Sequence, residues 1–344
     1  MFNPNYLINQ ELLSNIKKIT FLITQLNSRK YPHIVLHKFQ VEAKNLSAHA
    51  STSIEGNPLG LTDVKKLLKS RPEHIRDNER EVLNYNTALI WLEKKLKQPL
   101  PVFLTHSFIH KVHAMVMDDL MSEIQLTEYR NDPVFVNDPR ELKTIYWPPD
   151  DQDVKKLMEE LIIFVNRHQN DIDPLIFSGL FHKQFVIIHP YVDGNGRTVR
   201  LVTKALLSAM GISTFNLFSF ENYYNKNITK YLDSVGERGN YYDLATRIDF
   251  TPWLVYFTGG IIDEILRVSK ELDQELITPT TSISDNQKII LDYIDNNGFI
   301  TDKIYSTLTK RAKATRNLDF QKLISLRLIT SQGKGRATYY KRAQ

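Results

Sequence analysis

The sequence predicts a mainly α-helical protein with one β-hairpin in its body and a small C-terminal unit of three helices and a hairpin. Three observations carry that prediction. Apolar residues recur at helical spacing, as in Leu175, Ile176, Leu180, Phe181, Phe185 and Ile188. β-formers crowd between turn residues from Pro133 to Pro149. After a turn-rich segment, Ile277 to Ser282, the charge balance changes. Ser284–Gln344 holds twelve Lys/Arg against five Asp/Glu, although the 344-residue chain is only +5 overall. The expected organisation is an N-terminal helical region (1–100), a core (101–276), a linker (277–283) and a C-terminal domain (284–344).

In the N-terminal region, Ser51-Thr52-Ser53-Ile54-Glu55-Gly56-Asn57 puts Ser51 and Glu55 on one helix face near its end, with Gly56 as the stop. On spacing alone, Glu55 is an ordinary exposed residue at a helix end. His106, His110 and His113 follow at helical spacing. No carboxylate sits at a ligand-like offset beside them, so they read as ordinary helix residues rather than a metal site. Thr127-Glu128-Tyr129-Arg130 and Pro133-Val134-Phe135-Val136 then lead into Lys143-Thr144-Ile145-Tyr146-Trp147-Pro148-Pro149, a hairpin by composition.

The most informative stretch is His189-Pro190-Tyr191-Val192-Asp193-Gly194-Asn195-Gly196-Arg197-Thr198-Val199-Arg200. Pro190 ends or bends the helix before it. Gly194-Asn195-Gly196 admits dihedrals closed to bulkier residues, so successive N–H groups can point at one anion. Val199, Leu201, Val202, Leu206 and Leu207 begin a second helix near Arg197, whose N-terminus adds free N–H donors and a positive dipole end. Arg197 and Arg200 share a face of that helix and can clamp different phosphates. Asp193 is a hard oxygen ligand suited to Mg²⁺ on phosphates. His189 can take a proton from a hydroxyl attacking phosphorus. Each residue alone suits an ordinary turn; together they suit a polyphosphate site.

HPYVDGNGRTVR closely resembles the Fic motif, HPFxDGNGRxxR, with Tyr191 in place of the usual Phe. That resemblance implies the Fic helical fold and AMP transfer from ATP to a Ser, Thr or Tyr hydroxyl of a target protein. It implies His189 as general base and Asp193 as ligand of a Mg²⁺ cofactor. It also implies an anion hole from the Gly194, Asn195 and Gly196 backbone, Arg197 on the phosphates and Arg200 on the γ-phosphate. Ser51 to Asn57 resembles the family's inhibitory motif, [S/T]xxxE[G/N], in which the glutamate pairs with the second arginine of the loop. Glu55 would then hold Arg200 and keep the protein self-inhibited. In the family the hairpin is a flap that docks the target by strand addition, which points to Thr144, Ile145 and Tyr146. Asn227 and Tyr231 resemble an adenine-contacting N-x-x-x-Y, with Leu232 where the family often has a second aromatic. Removal of AMP, or transfer of another nucleotide, stays open at the same site.

In the C-terminal domain, Ile289, Ile290, Tyr293 and Ile294 form one apolar stripe, closed by Asn297-Gly298. Thr301 or Asp302 caps a second helix, with Ile304 and Leu308 inward. A third runs from about Ala314 to Leu326, with Leu318, Leu323 and Ile324 inward. Leu328-Ile329-Thr330, Gly333-Lys334-Gly335 and Thr338-Tyr339-Tyr340 make strand, turn, strand. Three helices plus a hairpin resemble a winged helix-turn-helix. Lys310, Arg311, Lys313, Arg316, Lys334 and Arg336 can meet DNA phosphates, which makes a nucleotide-sensing DNA-binding regulator the reading from another class. Contact with protein is the other use, and a homodimer stays open. A chain without cysteine has no disulfide and no thiolate metal site. No apolar run approaches the ~20 residues of a membrane span, and the N-terminus lacks a signal peptide's pattern. The expectation is a cytoplasmic protein.

Overall fold

A computed structural model describes residues 1–344 except 30, 71, 97–103, 139–142, 210–215, 276–282, 327, 334 and 344. All but the last residue of the expected linker, and the wing residue Lys334, lie outside the described residues. The chain divides into two units, residues 1–27 with 41–267 and residues 28–40 with 268–344. Residues 28–40 thus group with the C-terminal part of the chain. Periodicity marks a helix; it does not say which body that helix packs with.

Up to residue 275 the described residues are mainly helical, and all of these elements belong to the first unit except where they run into residues 28–40 and 268–275, which belong to the second. In order come α1 (Gln10–Ser28), α2 (His33–Ile54), α3 (Leu61–Lys69), α4 (Asp77–Leu96), α5 (His106–Val116) and α6 (Glu123–Thr127). Strands β1 (Val136–Asp138) and β2 (Lys143–Trp147) follow, then α7 (Asp151–His168), α8 (Pro174–Ile188), α9 (Asn195–Ala209), α10 (Phe220–Lys226) and α11 (Ile228–Val235). Strand β3 (Gly239–Asn240), α12 (Tyr241–Leu244) and α13 (Thr251–Glu275) complete the run.

Helix α8 is the axis of this unit. Asp173 caps it by accepting from the Leu175 N–H, and Pro174 takes the first position, where no N–H is needed. Every residue of α8 except Pro174 and Val186 is buried. Gly179 lets α13 pass close by: a β-carbon there would lie 2.6 Å from Leu254, and Trp253 Nε1 donates to the Gly179 carbonyl at 2.8 Å. Each fully buried Phe or Leu of α8 contributes about 1.5–3 kcal/mol. The helix that leads into the His189–Arg200 stretch is thereby fixed.

The hairpin forms as expected, β1 pairing antiparallel with β2, Val136 opposite Tyr146 and Asn137 opposite Thr144. The third strand was not foreseen: β3 pairs parallel with the end of β2, Tyr146 against Gly239 and Trp147 against Asn240. Two residues, one of them glycine, leave no alternating pattern to read.

The second unit contains α14 (Asp285–Asn297), α15 (Asp302–Leu308), α16 (Lys313–Ser325), β4 (Ile329–Gln332) and β5 (Tyr339–Arg342), with β4 and β5 antiparallel. Its core gathers Ile290, Ile294, Ile300, Tyr305, Phe320 and Leu323. Here the inward faces differ from expectation. Leu318 is 63% exposed, and Ile324 and Leu308 also face solvent, while Asp319 is buried. Asp319 accepts from Gln287, Tyr305 and Arg311, so a polar network takes the place the apolar stripe implied. Arg311 is paired with Asp319, and Arg316 with Asp302. Two of the basic residues assigned to DNA phosphates thus have carboxylate partners within this unit.

Candidate functional site

Helix α8 ends at Ile188, and His189 follows in the left-handed conformation (φ 51°, ψ 61°), its N–H donating to the Phe185 carbonyl at 3.0 Å. Among the described residues only His189 and Asp119 are non-glycine with positive φ. Such a turn is disfavoured for a residue with a β-carbon, so something must hold it. Arg130 does: its Nε donates to the His189 carbonyl at 2.8 Å, and its own N–H donates to the Pro190 carbonyl at 2.9 Å. The His189 ring places Nδ1 3.3 Å from the Val186 carbonyl. Nδ1 is then the N–H, and Nε2 keeps the lone pair. Burial pushes the His189 pKa below its ordinary value, opposed by the Val186 carbonyl, with Arg130 lowering it further and Glu55 and Asp193 raising it. A neutral imidazole at pH 7 can accept a proton.

The loop after it is built by its own side chains. Asn195 is buried and uses both ends of its amide on Tyr191, accepting from that N–H at 2.9 Å and donating to that carbonyl at 2.7 Å. Of the expected Gly-Asn-Gly turn only Gly194 needs positive φ (77°), because α9 already starts at Asn195. Gly196 is helical and serves another purpose: a β-carbon there would collide with the Glu55 carboxylate. The first turn of α9 leaves N–H groups without carbonyl partners inside the helix, as helix N-termini that receive anions do.

The two arginines of α9 are in different states. Arg200 is fully buried and satisfied. Its Nε donates to Ser51 Oγ at 2.8 Å, and NH2 donates to the Ser51 carbonyl at 2.9 Å and to Glu55 Oε1 at 2.6 Å. NH1 reaches the Tyr231 hydroxyl at 3.4 Å. Burial opposes its charge, but Glu55 and the tyrosines more than offset that and raise its pKa. Arg197 is 2% exposed, yet its Nε and NH1 have no hydrogen-bond partner among the described residues. NH1 lies only within ion-pair range of Glu81, at 3.5 Å, and NH2 contacts Asp193 at 3.1 Å. A buried guanidinium with idle donors is costly unless an anion arrives. Asp193 itself is well exposed.

Other expected site residues are placed as follows. Ser51 lies in the last turn of α2 and Glu55 just past it, in a turn closed by Gly56 at φ 94°. Thr144 bonds Asn137 across the hairpin, and Ile145 is half-buried. Tyr146 is buried, its hydroxyl donating to the Ile187 carbonyl at 2.9 Å, so its side chain anchors the hairpin to α8 instead of facing outward. Asn227 is exposed and caps α11 by accepting from the Lys230 N–H. It borders a cleft of about 630 Å³ that also meets Lys183, Lys230, Glu237 and Arg247. Tyr231 is buried, stacked on Tyr224 with its hydroxyl between Arg200 and His182. The structure brings Tyr231 to Arg200, while the Asn227 side chain is occupied by the cap.

The three histidines read from the sequence as ordinary helix residues lie behind the loop and support it. His113 is buried, stacks on Tyr191 at 3.6 Å and meets the Asp193 carbonyl at 3.0 Å through Nε2. His110 Nδ1 meets the Tyr191 hydroxyl at 2.9 Å. His106 bridges Tyr129 and Glu159. The signal was present: a Tyr where Phe would pack carries a hydroxyl that needs a buried partner, and the histidines of α5 are spaced to supply one. Among the described residues no group of three His, Asp or Glu is placed to hold a metal.

Residues 103–207 match a family model described as Fic/DOC family. The protein adenylyltransferase Fic of Drosophila mojavensis is 27% identical over 228 residues, covering 61% of this chain and 43% of that protein. Its counterpart in Drosophila grimshawi is 29% identical over 180 residues, covering 51% and 35%. The chain thus spans less than half the length of these curated relatives. A Fic family protein from Desulfovibrio desulfuricans shares the fold over 99% of this chain and 98% of its own, with a TM-score of 0.67 and 18% identity. A Fic domain containing signaling protein from Bacteroides thetaiotaomicron does so over 78% and 100%, with a TM-score of 0.61 and 21% identity.

Proposed function

We propose that this chain, which carries a Fic/DOC family domain over residues 103–207, transfers AMP from ATP to a hydroxyl side chain of a target protein and is inhibited at rest by its own Glu55. The observation that carries the reading is Arg197, a buried cation in the first turn of α9 with two nitrogens that make no hydrogen bond among the described residues. That combination favours a polyphosphate. The relatives it matches are named protein adenylyltransferases, which lends the reading its reaction class.

In this mechanism the target hydroxyl attacks the α-phosphorus as His189 Nε2 takes its proton. The new O–P bond forms while the bond to the β-phosphate oxygen breaks, and pyrophosphate leaves with the electron pair. Arg197 and the first N–H groups of α9 stabilise the charge on the phosphoryl oxygens. The donor set suits Mg²⁺: an exposed carboxylate, Asp193, near a phosphate site, where this ion typically takes one or two carboxylates plus substrate oxygens. When bound, Mg²⁺ would neutralise phosphate charge. Asp193 would then exchange Arg197 for the ion, releasing that guanidinium to the substrate.

Glu55 supports self-inhibition because it occupies Arg200, the arginine assigned to the γ-phosphate, at 2.6 Å. A carboxylate and a phosphate compete for one guanidinium. The deciding experiment is the intact mass of wild-type and Glu55→Gly protein after incubation with ATP and Mg²⁺. Addition of one AMP in the variant alone is expected. No addition in either protein would sink the transfer reading, and equal addition in both would sink self-inhibition.

A further inference from the structure

Arg130 is 5% exposed, and its donors go to backbone carbonyls. Nε bonds His189, NH1 bonds Asp132 at 3.1 Å, and NH2 bonds Pro149 at 2.5 Å. Asp132 lies just before β1 and Pro149 just after β2. One guanidinium therefore gathers the two ends of the hairpin and the carbonyl of the candidate base. The Arg130 N–H adds a fourth tie, to Pro190. Only a planar fork with donors in three directions can do this; a lysine ammonium presents its donors from a single point.

We propose that Arg130 is the positioning residue of this site: it holds His189 in its left-handed turn and couples that turn to the hairpin, so that target docking and alignment of the base are one event. The inference rests on the proposed transfer reading for the roles of His189 and the hairpin. Arg130 makes no contact with Arg197, Arg200 or the first turn of α9. Its loss should spare ATP binding and damage the chemical step.

The test uses the full chain with Glu55→Gly as parent and adds Arg130→Gln or Arg130→Lys. Expected is a fall of roughly 100-fold in single-turnover AMP transfer, the scale of an ångström-sized misplacement. ATP affinity should stay within about twofold, and Arg130→Lys should recover only part of the rate. An unchanged rate, full recovery by lysine, or loss of ATP affinity in step with the rate overturns the proposal. Amide hydrogen exchange on Arg130→Gln in the Glu55-containing chain gives a readout independent of activity. Protection should fall together at the β1–β2 ladder and at His189, while α13 keeps its own. Loss confined to one of the two segments, or a collapse of protection throughout, overturns it. If the Glu55→Gly parent transfers no AMP, the reading of function fails, and the exchange pattern still decides the coupling.

Discussion

Arg197 and Arg200 sit one turn apart on α9, both buried, and what each holds differs. Arg200 has three partners besides Glu55: the Ser51 hydroxyl, the Ser51 carbonyl and the Tyr231 hydroxyl. Removing Glu55 leaves its charge with three neutral oxygen partners, and Glu55→Gly should cost about 1.5–3 kcal/mol of stability. The same change frees the guanidinium for phosphate. AMP transfer should rise about 5–150-fold, the range expected for lifting one internal competitor. A rate unchanged in a well-folded variant would contradict this. His189 supplies a second residue-scale expectation. Its pKa is depressed, chiefly by burial, so the ring stays neutral below the usual histidine value. The transfer rate in Glu55→Gly should hold as pH falls from 8 to about 6.5, then drop through the lowered pKa. Removing Glu55 strips away one of the groups that raise it, moving the limb lower still. A pH–rate profile whose acid limb lies above 6.5 would exclude His189 as the base in this form.

At the scale of elements, a single carboxylate joins four helices. Glu221 of α10 is fully buried. It accepts from Tyr85 of α4 at 2.8 Å and Ser47 of α2 at 3.3 Å, and pairs with Lys204 of α9 at 3.1 Å. Deleting it strands a buried ammonium and a phenol together. Glu221→Ala should cost about 3–5 kcal/mol, measured by denaturant unfolding, and loosen α2 with it. A loss under about 1 kcal/mol would mean that these helices are held by apolar packing alone. None of this was legible in the sequence, since Ser47, Tyr85, Lys204 and Glu221 are far apart in the chain and no local pattern links them. What was legible is local. The apolar residues of α8 recur at helical spacing, and the His189–Arg200 stretch holds its polar residues within twelve positions. Glu55 was readable only beside Arg200, which gave its exposed-looking position a partner. In α16 the apolar stripe misled, because a buried Asp319 with three donors displaced Leu318 to the surface. Patterning sees side-chain polarity but not the partners that make burial of a charge affordable.

Across the whole molecule, the histidines with lowered pKa values all lie in the first unit, while the C-terminal segment 268–344 has lowered aspartates and no histidine, and this gives the two different acid responses. In the first unit, burial holds His49, His110, His113, His182 and His189 below their ordinary values, His110 at about 4. The unfolded chain would protonate all five near pH 6.5, and the folded unit resists. Stability from these groups is thus whole above pH 6.5 and is lost progressively as pH falls toward their lowered values. The histidines of the second unit, His33 and His37, lie in its residues 28–40, and residues 268–344 contain none. There Asp285, Asp295 and Asp302 are held below the usual carboxylate value, mainly by hydrogen bonds to Lys288, Arg342 and Arg316. Their contribution is whole above about pH 4 and is lost only below it. Between pH 7 and pH 5 the first unit should weaken while the C-terminal helices and hairpin keep their stability. Calorimetry of the full chain should show the transition of the first unit falling by at least ~5 °C over that range, with the second nearly fixed. Hydrogen exchange would assign each transition to its residues. A uniform fall in both would mean that the units unfold as one body. No fall in either would mean that the buried histidines reach solvent in the folded state, which would also remove the ground for a neutral His189.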